Sequence, residues 1–446
     1  MAGCQSAAND SKKFEVNPLL TKEKNDLLTQ TGPGTPMGDL FRCYWHPALL
    51  AEELPGPDCP PVRVQLLSER LIAFRDSENR LGLMDELCAH RRVSLWFGRN
   101  EEGGLRCAYH GWKYDVTGQC IDVPSDPPER NSCKKIKLKA YSLVEKGGIL
   151  WAYMGDPAKQ PPLPEYEICT VKPEQRFLSK RLQECNWLQA MEGGIDSSHV
   201  SFLHSGNLDT DPLFKGSAGN KYNLADKRPV FEVVDNPGGL LIGARRNAED
   251  EQYYWRITPW LMPSFTMVPP RGDHPVHGHF WIPIDDEHCW AWTFDYTAAR
   301  ELTKSERESL EDGHGVHCKY VPGTYIPLAN KSNDYLMDRE AQKSGLAYSG
   351  IHGIAIQDAS LQESMGPICD RSIEMLMPTD KGIMMARRKL LKAVKNLQEK
   401  GEMPPGLDPE MHKVRSASVL SPRDQAYKDV AQEHLRATPG TPHASV

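Results

Sequence analysis

The chain has 446 residues, of which 25% are charged, and a formal charge of −7. That length leaves room for two or three domains. The acidic balance argues against nucleic acid, whose phosphates are held by clustered Lys and Arg, and the lack of a long apolar run argues against a membrane partner. Residues 1–26 are polar and read as a flexible start. Met1-Ala2-Gly3-Cys4 imitates the end of a lipoprotein cleavage site, but no apolar stretch precedes Cys4, so no signal peptide is expected. The Gly32 to Pro36 run is a turn cluster that opens the ordered part. Short β-like runs come next at Val62–Leu67, Leu71–Arg75, Leu81–Met84 and Ile149–Tyr153, punctuated by Gly, Pro and Asp. They predict an antiparallel β domain over 27–160.

Inside that domain, Cys88-Ala89-His90 and Cys107-Ala108-Tyr109-His110 form a four-ligand set. One Cys and one His on each of two loops is the ligand set of a Rieske [2Fe–2S] cluster, with thiolates on one iron and neutral imidazoles on the other. Trading two thiolates for imidazoles lowers the cluster's negative charge. Such centres work at roughly −150 to +300 mV, against about −400 mV for plant-type all-Cys clusters. The same residues would also satisfy a tetrahedral Cys2His2 zinc site. Zinc fingers, however, keep their two His close together on one helix, whereas here each half is mixed. Gly111 permits a tight loop, and Trp112 and Tyr114 offer aromatic cover against water. Arg91 and Arg92 either face a redox partner or are solvated loop charges. The other ten of the twelve cysteines (Cys4, Cys43, Cys59, Cys120, Cys133, Cys169, Cys185, Cys289, Cys318, Cys369) show no framework spacing, which predicts reduced thiols and a cytoplasmic protein.

Gln160 to Pro164 reads as a linker. Residues 161–385 then mix helix (182–204), aromatic strands between 230 and 300, and further helices at 302–312, 332–343 and 357–366. The clearest strands are Tyr253–Ile257, His277–Ile282 and Cys289–Phe294. Residues 386–446 read as a C-terminal helix, with Ala386, Leu390, Val394 and Leu397 on its apolar face, ending at Gly401 and succeeded by a polar tail.

The segment Glu192 to His204 supplies a second metal candidate. On an ideal helix His199 and His204 point about 140° apart, so one ion can take both only where the helix widens or ends. Asp196, three residues before His199, shares its face and can either ligate or hydrogen-bond a histidine. Two His and one carboxylate make the facial triad of non-haem Fe(II) oxygenases.

These two motifs together resemble the catalytic α subunits of Rieske non-haem iron ring-hydroxylating oxygenases, and among them the oxygenase components of phthalate 4,5-dioxygenases, from about residue 27 to 420. Leu28–Gly38, Met191–Gly206 and Gln357–Pro367 are especially similar. The resemblance implies an α+β protein, with a Rieske domain followed by a helix-grip-like catalytic domain around a central antiparallel sheet. It also implies one Rieske [2Fe–2S] cluster and one mononuclear Fe(II), with His199, His204 and Asp358 as iron ligands. Spacing alone does not choose Asp358 over Asp334, Asp338 or Asp370. Asp196 then matches the aspartate that contacts a Rieske histidine of a neighbouring subunit. Arg92 departs from the small residue common at that place in the family.

By the same resemblance the chain is a terminal oxygenase. It takes electrons from an NADH-dependent flavin/[2Fe–2S] reductase, assembles as a homotrimer or stacked trimers without a β subunit, and cis-dihydroxylates a monocyclic aromatic carboxylate, foremost phthalate at positions 4,5. Isophthalate and 3-chlorobenzoate dioxygenases, a Rieske monooxygenase or O-demethylase, and a Rieske electron carrier are the alternatives. A carboxylate substrate calls for a bidentate guanidinium, and Arg228, Arg245 and Arg246 are the candidates, of which only one of the last two can point inward. Ile195, Phe202 and Trp281 are candidate ring walls. His279 reads as a polar wall, more readily than as part of a metal cluster with His274 and His277.

Overall fold

The computed structural model describes residues 20–130 and 132–446. Helices α1 (Lys22–Thr29) and α2 (Pro36–Phe41) open it, each capped by a threonine side chain, Thr21 and Thr35. The expected flexible start is therefore helical from Lys22, and residues 1–19 lie outside the described part. Ten strands come next: β1 (Trp45–Leu50), β2 (Val62–Leu66), β3 (Glu69–Arg75), β4 (Leu81–Asp85), β5 (Arg99–Glu101), β6 (Gly104–Arg106), β7 (Lys113–Tyr114), β8 (Cys120–Asp122), β9 (Ala140–Lys146) and β10 (Ile149–Tyr153). They form an antiparallel six-stranded sheet, β1-β10-β9-β4-β3-β2, and a smaller one, β5-β6-β7-β8. Ile72, Phe74, Met84, Leu95, Leu105 and Tyr114 fill the space between them.

After α3 (Glu167–Thr170) the chain builds a third, larger antiparallel sheet. Its strands are β11 (Arg176–Gln183), β12 (Val230–Asn236), β13 (Gly239–Asn247), β14 (Gln252–Leu261), β15 (Phe265–Met267), β16 (Val276–Pro283) and β17 (Cys289–Tyr296), in the order β11-β17-β16-β15-β14-β13-β12. Helix α4 (Trp187–Ile195) packs on this sheet; α5 (Asn220–Ala225), α6 (Lys304–Glu311), α7 (Arg339–Ser344), α8 (Ile354–Ser364) and α9 (Lys381–Lys400) come after it. The helix expected over 182–204 is thus a strand, a turn and a helix. Gln183 is still paired within the sheet, Asn186 caps α4, and Asp196 leaves it in extended backbone. At Gly193 the helix passes close to α8: a Cβ would lie 2.1 Å from Gln362 Nε2, so a larger residue would have to displace the end of that side chain.

The C-terminal expectation also changes. Helix α9 starts at Lys381, docks Ala386, Leu390, Ala393 and Val394, and ends on left-handed Gly401. The segment beyond Gly401 is no loose tail. There β18 (Ala417–Pro422) pairs with the first half of β14, and α10 (Tyr427–His434) covers the opposite face of the sheet from α9, with Tyr427 stacked on Trp255. No helix among the described residues is long and apolar enough to cross a membrane.

Buried charges lock α4 to α9. Glu192 accepts from Arg371 Nη2 at 3.0 Å and Arg387 Nε at 2.6 Å, and Arg387 also holds Glu374 at 2.6 Å. Both guanidiniums are almost fully buried. Removing the shared anion leaves buried Arg371 without a carboxylate and Arg387 with Glu374 alone, so Glu192→Ala is expected to destabilise by ~3–5 kcal/mol in denaturant unfolding. A loss below about 1 kcal/mol would show that the network is not a clamp.

Candidate metal centres and pocket

The two Cys/His loops are built alike. Cys88 N–H donates to Val93 O and Cys107 N–H to Trp112 O; Arg92 N–H returns to Cys88 O and Gly111 N–H to Cys107 O, all at 2.8–3.0 Å. Closing each loop this way needs a left-handed residue four places after the cysteine, and Gly111 (φ 79°) and Arg92 (φ 58°) take it. That geometry favours glycine, which gives a physical reason for a small residue at position 92. Arg91 and Arg92 are both exposed, and Arg91 lies 5.7 Å over the Tyr109 ring.

Cys88 and Cys107 are buried, whereas His90 and His110 are exposed with ring centroids 4.4 Å apart. Trp112 stacks on His90 at 4.6 Å and Tyr114 lies beneath. The four side chains can hold a cluster with its sulfur side in the core and its imidazole side at the surface. Tyr114 Oη sits 3.2 Å from Cys88 Sγ. A hydrogen bond to a cluster sulfur stabilises the reduced, more negative state, so Tyr114→Phe is expected to lower the reduction potential by tens of millivolts, on the order of 1–2 kcal/mol. Protein-film voltammetry reads this directly, and an unchanged potential would remove the role.

His199, His204 and Asp358 bring their ligand atoms within 4.8 Å of one another. His199 and His204 Nε2 lie 3.5 and 3.2 Å from Asp358 Oδ1. The end of α4 at Ile195 frees the two histidines from helical spacing, and α8 supplies the carboxylate. Each imidazole's other nitrogen is held: His199 Nδ1 donates to Asp196 Oδ2 at 3.1 Å, and His204 Nδ1 to Gln357 Oε1 at 2.8 Å. Burial opposes a charged ring at His199, yet Asp196 and then Asp358 push it up to about 9. The pocket therefore favours a cation between these groups, and two imidazoles with one carboxylate are the donor set that fits iron. Asp334 lines the outer groove, Asp338 caps α7 and Asp370 binds Ser372, so none of the three joins the group.

The substrate candidates fare unevenly. Arg228 is exposed. Arg245 lies on the α10 face, paired with Glu232 and stacked 4.2 Å over Tyr253. Arg246 points inward, where its Nε and Nη2 bind Asp226 O, Ser197 O and Ser201 Oγ and steady the loop that carries the histidines; its Nη1 is unpartnered, but the residue is not among those lining the inner pocket. Ile195 is core rather than pocket wall. Phe202 lines an open groove of ≈ 860 Å³ that runs outward from His199 past Tyr348 and Leu361. His277, His279 and Trp281 alternate along β16 into the inner pocket, while His274 lies apart and bonds Lys215 O. Burial and then Arg181 lower His279 to about 3, so its ring is neutral.

The residues missed from sequence are Arg256 and Arg271. Both are buried and line the same inner pocket as His199, His204 and Asp358. Arg256 Nε and Nη1 have no hydrogen-bond partner, nor has Arg271 Nε. Arg271 Nη1 binds Asn220, and burial followed by the charge of Arg256 brings its pKa to about 9. A signal existed: an arginine amid Trp255, Ile257 and Trp260 on a strand is out of place unless something inside requires it.

The family model for the Rieske [2Fe-2S] domain matches residues 44–142, and that for the LigXa C-terminal domain like family matches 152–436. The chain is 38% identical to the 3-chlorobenzoate-3,4-dioxygenase oxygenase subunit of Comamonas testosteroni, over 93% of this chain and 98% of that one. It is also 38% identical to the phthalate 4,5-dioxygenase oxygenase subunit of Pseudomonas putida, over 85% and 87%. A third relative, the 5,5'-dehydrodivanillate O-demethylase oxygenase subunit of Sphingobium sp. (strain NBRC 103272 / SYK-6), is 30% identical over 94% and 91%. Among solved structures, dicamba monooxygenase bound to dicamba shares the fold, with a TM-score of 0.54 at 19% identity over 80% of this chain and 98% of that one. The chain belongs to the Rieske non-haem iron oxygenases: it is an oxidoreductase, the oxygenase component of an aromatic ring-hydroxylating or O-demethylating system, with a [2Fe–2S] cluster and a mononuclear iron.

Proposed function

We propose that this oxygenase cis-dihydroxylates a monocyclic aromatic dicarboxylate, foremost phthalate at positions 4,5. One observation carries the reading: Arg256 and Arg271 face the pocket of His199, His204 and Asp358 with no carboxylate partner among the described residues. A buried cation left unpaired is costly, and a bound carboxylate offsets that cost. Two guanidiniums suit two carboxylates better than the single one of 3-chlorobenzoate. Phe214, Val268, Trp281 and Ile354 supply the apolar walls for a ring.

His199, His204 and Asp358 would hold the iron, which would supply the activation of O2, and the cluster would supply electrons one at a time. We assign Cys88, His90, Cys107 and His110 to the cluster. Forming a cis-diol from an arene and O2 takes two further electrons and two protons; we assign both electrons and one proton to NADH through a flavin/[2Fe–2S] reductase, and the other proton to solvent. Asp196 keeps part of its carboxylate exposed while gripping His199. Exposed Ile373, Met375 and Met377 add an apolar stripe between α8 and α9. Both features support a second copy seating His90 or His110 there, in a homotrimer or stacked trimers.

The test is NADH and O2 consumption by the reconstituted system over phthalate, isophthalate and substituted benzoates, with products identified under labelled O2. Phthalate-dependent uptake yielding a doubly labelled cis-diol is the expected result. A singly labelled phenol or a released formaldehyde would instead establish the monooxygenase or O-demethylase activity suggested by the 30% identical relative.

A further inference from the structure

His204 and His199 are braced differently. His199 leans on a carboxylate that is partly open to solvent; His204 leans on the neutral amide of Gln357, which is fully buried. The amide cannot be turned round. Its Nε2 donates to Asn207 Oδ1 and to Ile351 O, both at 2.8 Å, so its oxygen is fixed toward His204. An acceptor at Nδ1 keeps the proton there and leaves the Nε2 lone pair facing Asp358.

The connections reach further than one ring. Gln357 precedes Asp358 on α8, and Asn207 lies three residues beyond His204, with its N–H on His204 O at 2.9 Å. A single buried amide thus joins the loop bearing two ligands to the helix bearing the third. We propose that Gln357 is the positioning residue of this centre: with Asn207 it fixes the His204 tautomer and locks loop and helix at the separation the metal needs. This rests on reading His199, His204 and Asp358 as the metal site, but nothing in the donor set itself demands it.

The full-length protein, with its Rieske cluster intact and the mononuclear site emptied by chelation, is titrated with Co(II) and followed by absorption. Gln357→Met keeps the volume and removes all three hydrogen bonds, and its Co(II) Kd is expected to rise ~10–100-fold. Gln357→Glu restores the acceptor but loses the donors, so its Kd should fall between those of wild type and the Met variant. Asn207→Ala, at the edge of the network, should weaken binding several-fold with an unchanged Rieske spectrum. Wild-type affinity in folded Gln357→Met overturns the proposal. Should that variant not fold, Gln357→Glu and Asn207→Ala both binding like wild type overturn it equally. A wild-type protein that takes up no Co(II) would instead refute the metal site itself.

Discussion

Asp196→Asn is expected to retain both metal centres yet lose turnover by about 100-fold or more. Burial raises the Asp196 carboxyl, but the hydrogen bond and charge of His199 and the Ser198 hydrogen bonds together outweigh it and hold the group below the usual carboxylate range, so it is ionised at neutral pH. An ionised carboxylate accepts on both oxygens: one takes Ser198 N–H at 2.7 Å, the other His199 Nδ1–H at 3.1 Å. Its remaining lone pairs are the ones a neighbouring copy's imidazole N–H would meet. Asparagine has the same shape, but one of its two ends is a donor. Its NH2 then faces either the His199 Nδ1–H or the Ser198 N–H and offers the incoming imidazole no lone pair at that end, so the bridge fails while the ligands stay. Iron content and the reduced-state Rieske signal should match wild type while NADH-coupled product formation collapses. Wild-type turnover in this variant would leave the neighbouring-copy route without its link.

The second large effect concerns Arg256. Arg256→Met keeps the stem and removes the charge. If the guanidinium binds a substrate carboxylate, kcat/KM should fall by about 30- to 4,000-fold, the ~2–5 kcal/mol expected from stranding one partner of a buried charged pair. The same change should make the substrate-free protein more stable, by about 1 kcal/mol or more, because a buried cation with two unpartnered nitrogens is gone. Thermal melts separate the two. Wild type should gain stability on adding phthalate, and the variant should start higher and gain little. A variant that is less stable without substrate, and equally active, would mean that Arg256 is structural.

How much of this was legible in the sequence depended on how local the chemistry is. The Rieske set lies in two short loops, so four residues and their neighbours sufficed, down to the tight turn at Gly111. The strands at 62–66, 81–85 and 149–153 were readable because turn residues bracket them. His199 and His204 were recognisable, but the helix read through them was not there, since their place is set by where α4 stops. Asp358 came only through resemblance, for no local rule ties it to residues more than 150 positions earlier. The arginines failed for a related reason. The candidates were Arg228, Arg245 and Arg246, and the last two lie on β13, the strand beside the right one. Cross-strand pairing decides the matter: Ala244 sits opposite Arg256 on the inward face, so the free guanidinium comes from the next strand over. The polar tail was misjudged because β18 is short, and its partner supplies most of its reason to be a strand.

That late strand has a consequence for assembly. Arg256 lies in the half of β14 that β18 closes, opposite Ser418. A nascent chain therefore cannot finish the edge beside the arginine until residues 417–422 have been made, and such distant pairing is slow to form. The ten strands around the cysteine loops, all within residues 45–153, face no such wait. An order of maturation results: the cluster's housing can close early in synthesis, whereas the strand edge that seats Arg256 closes only once β18 has been made.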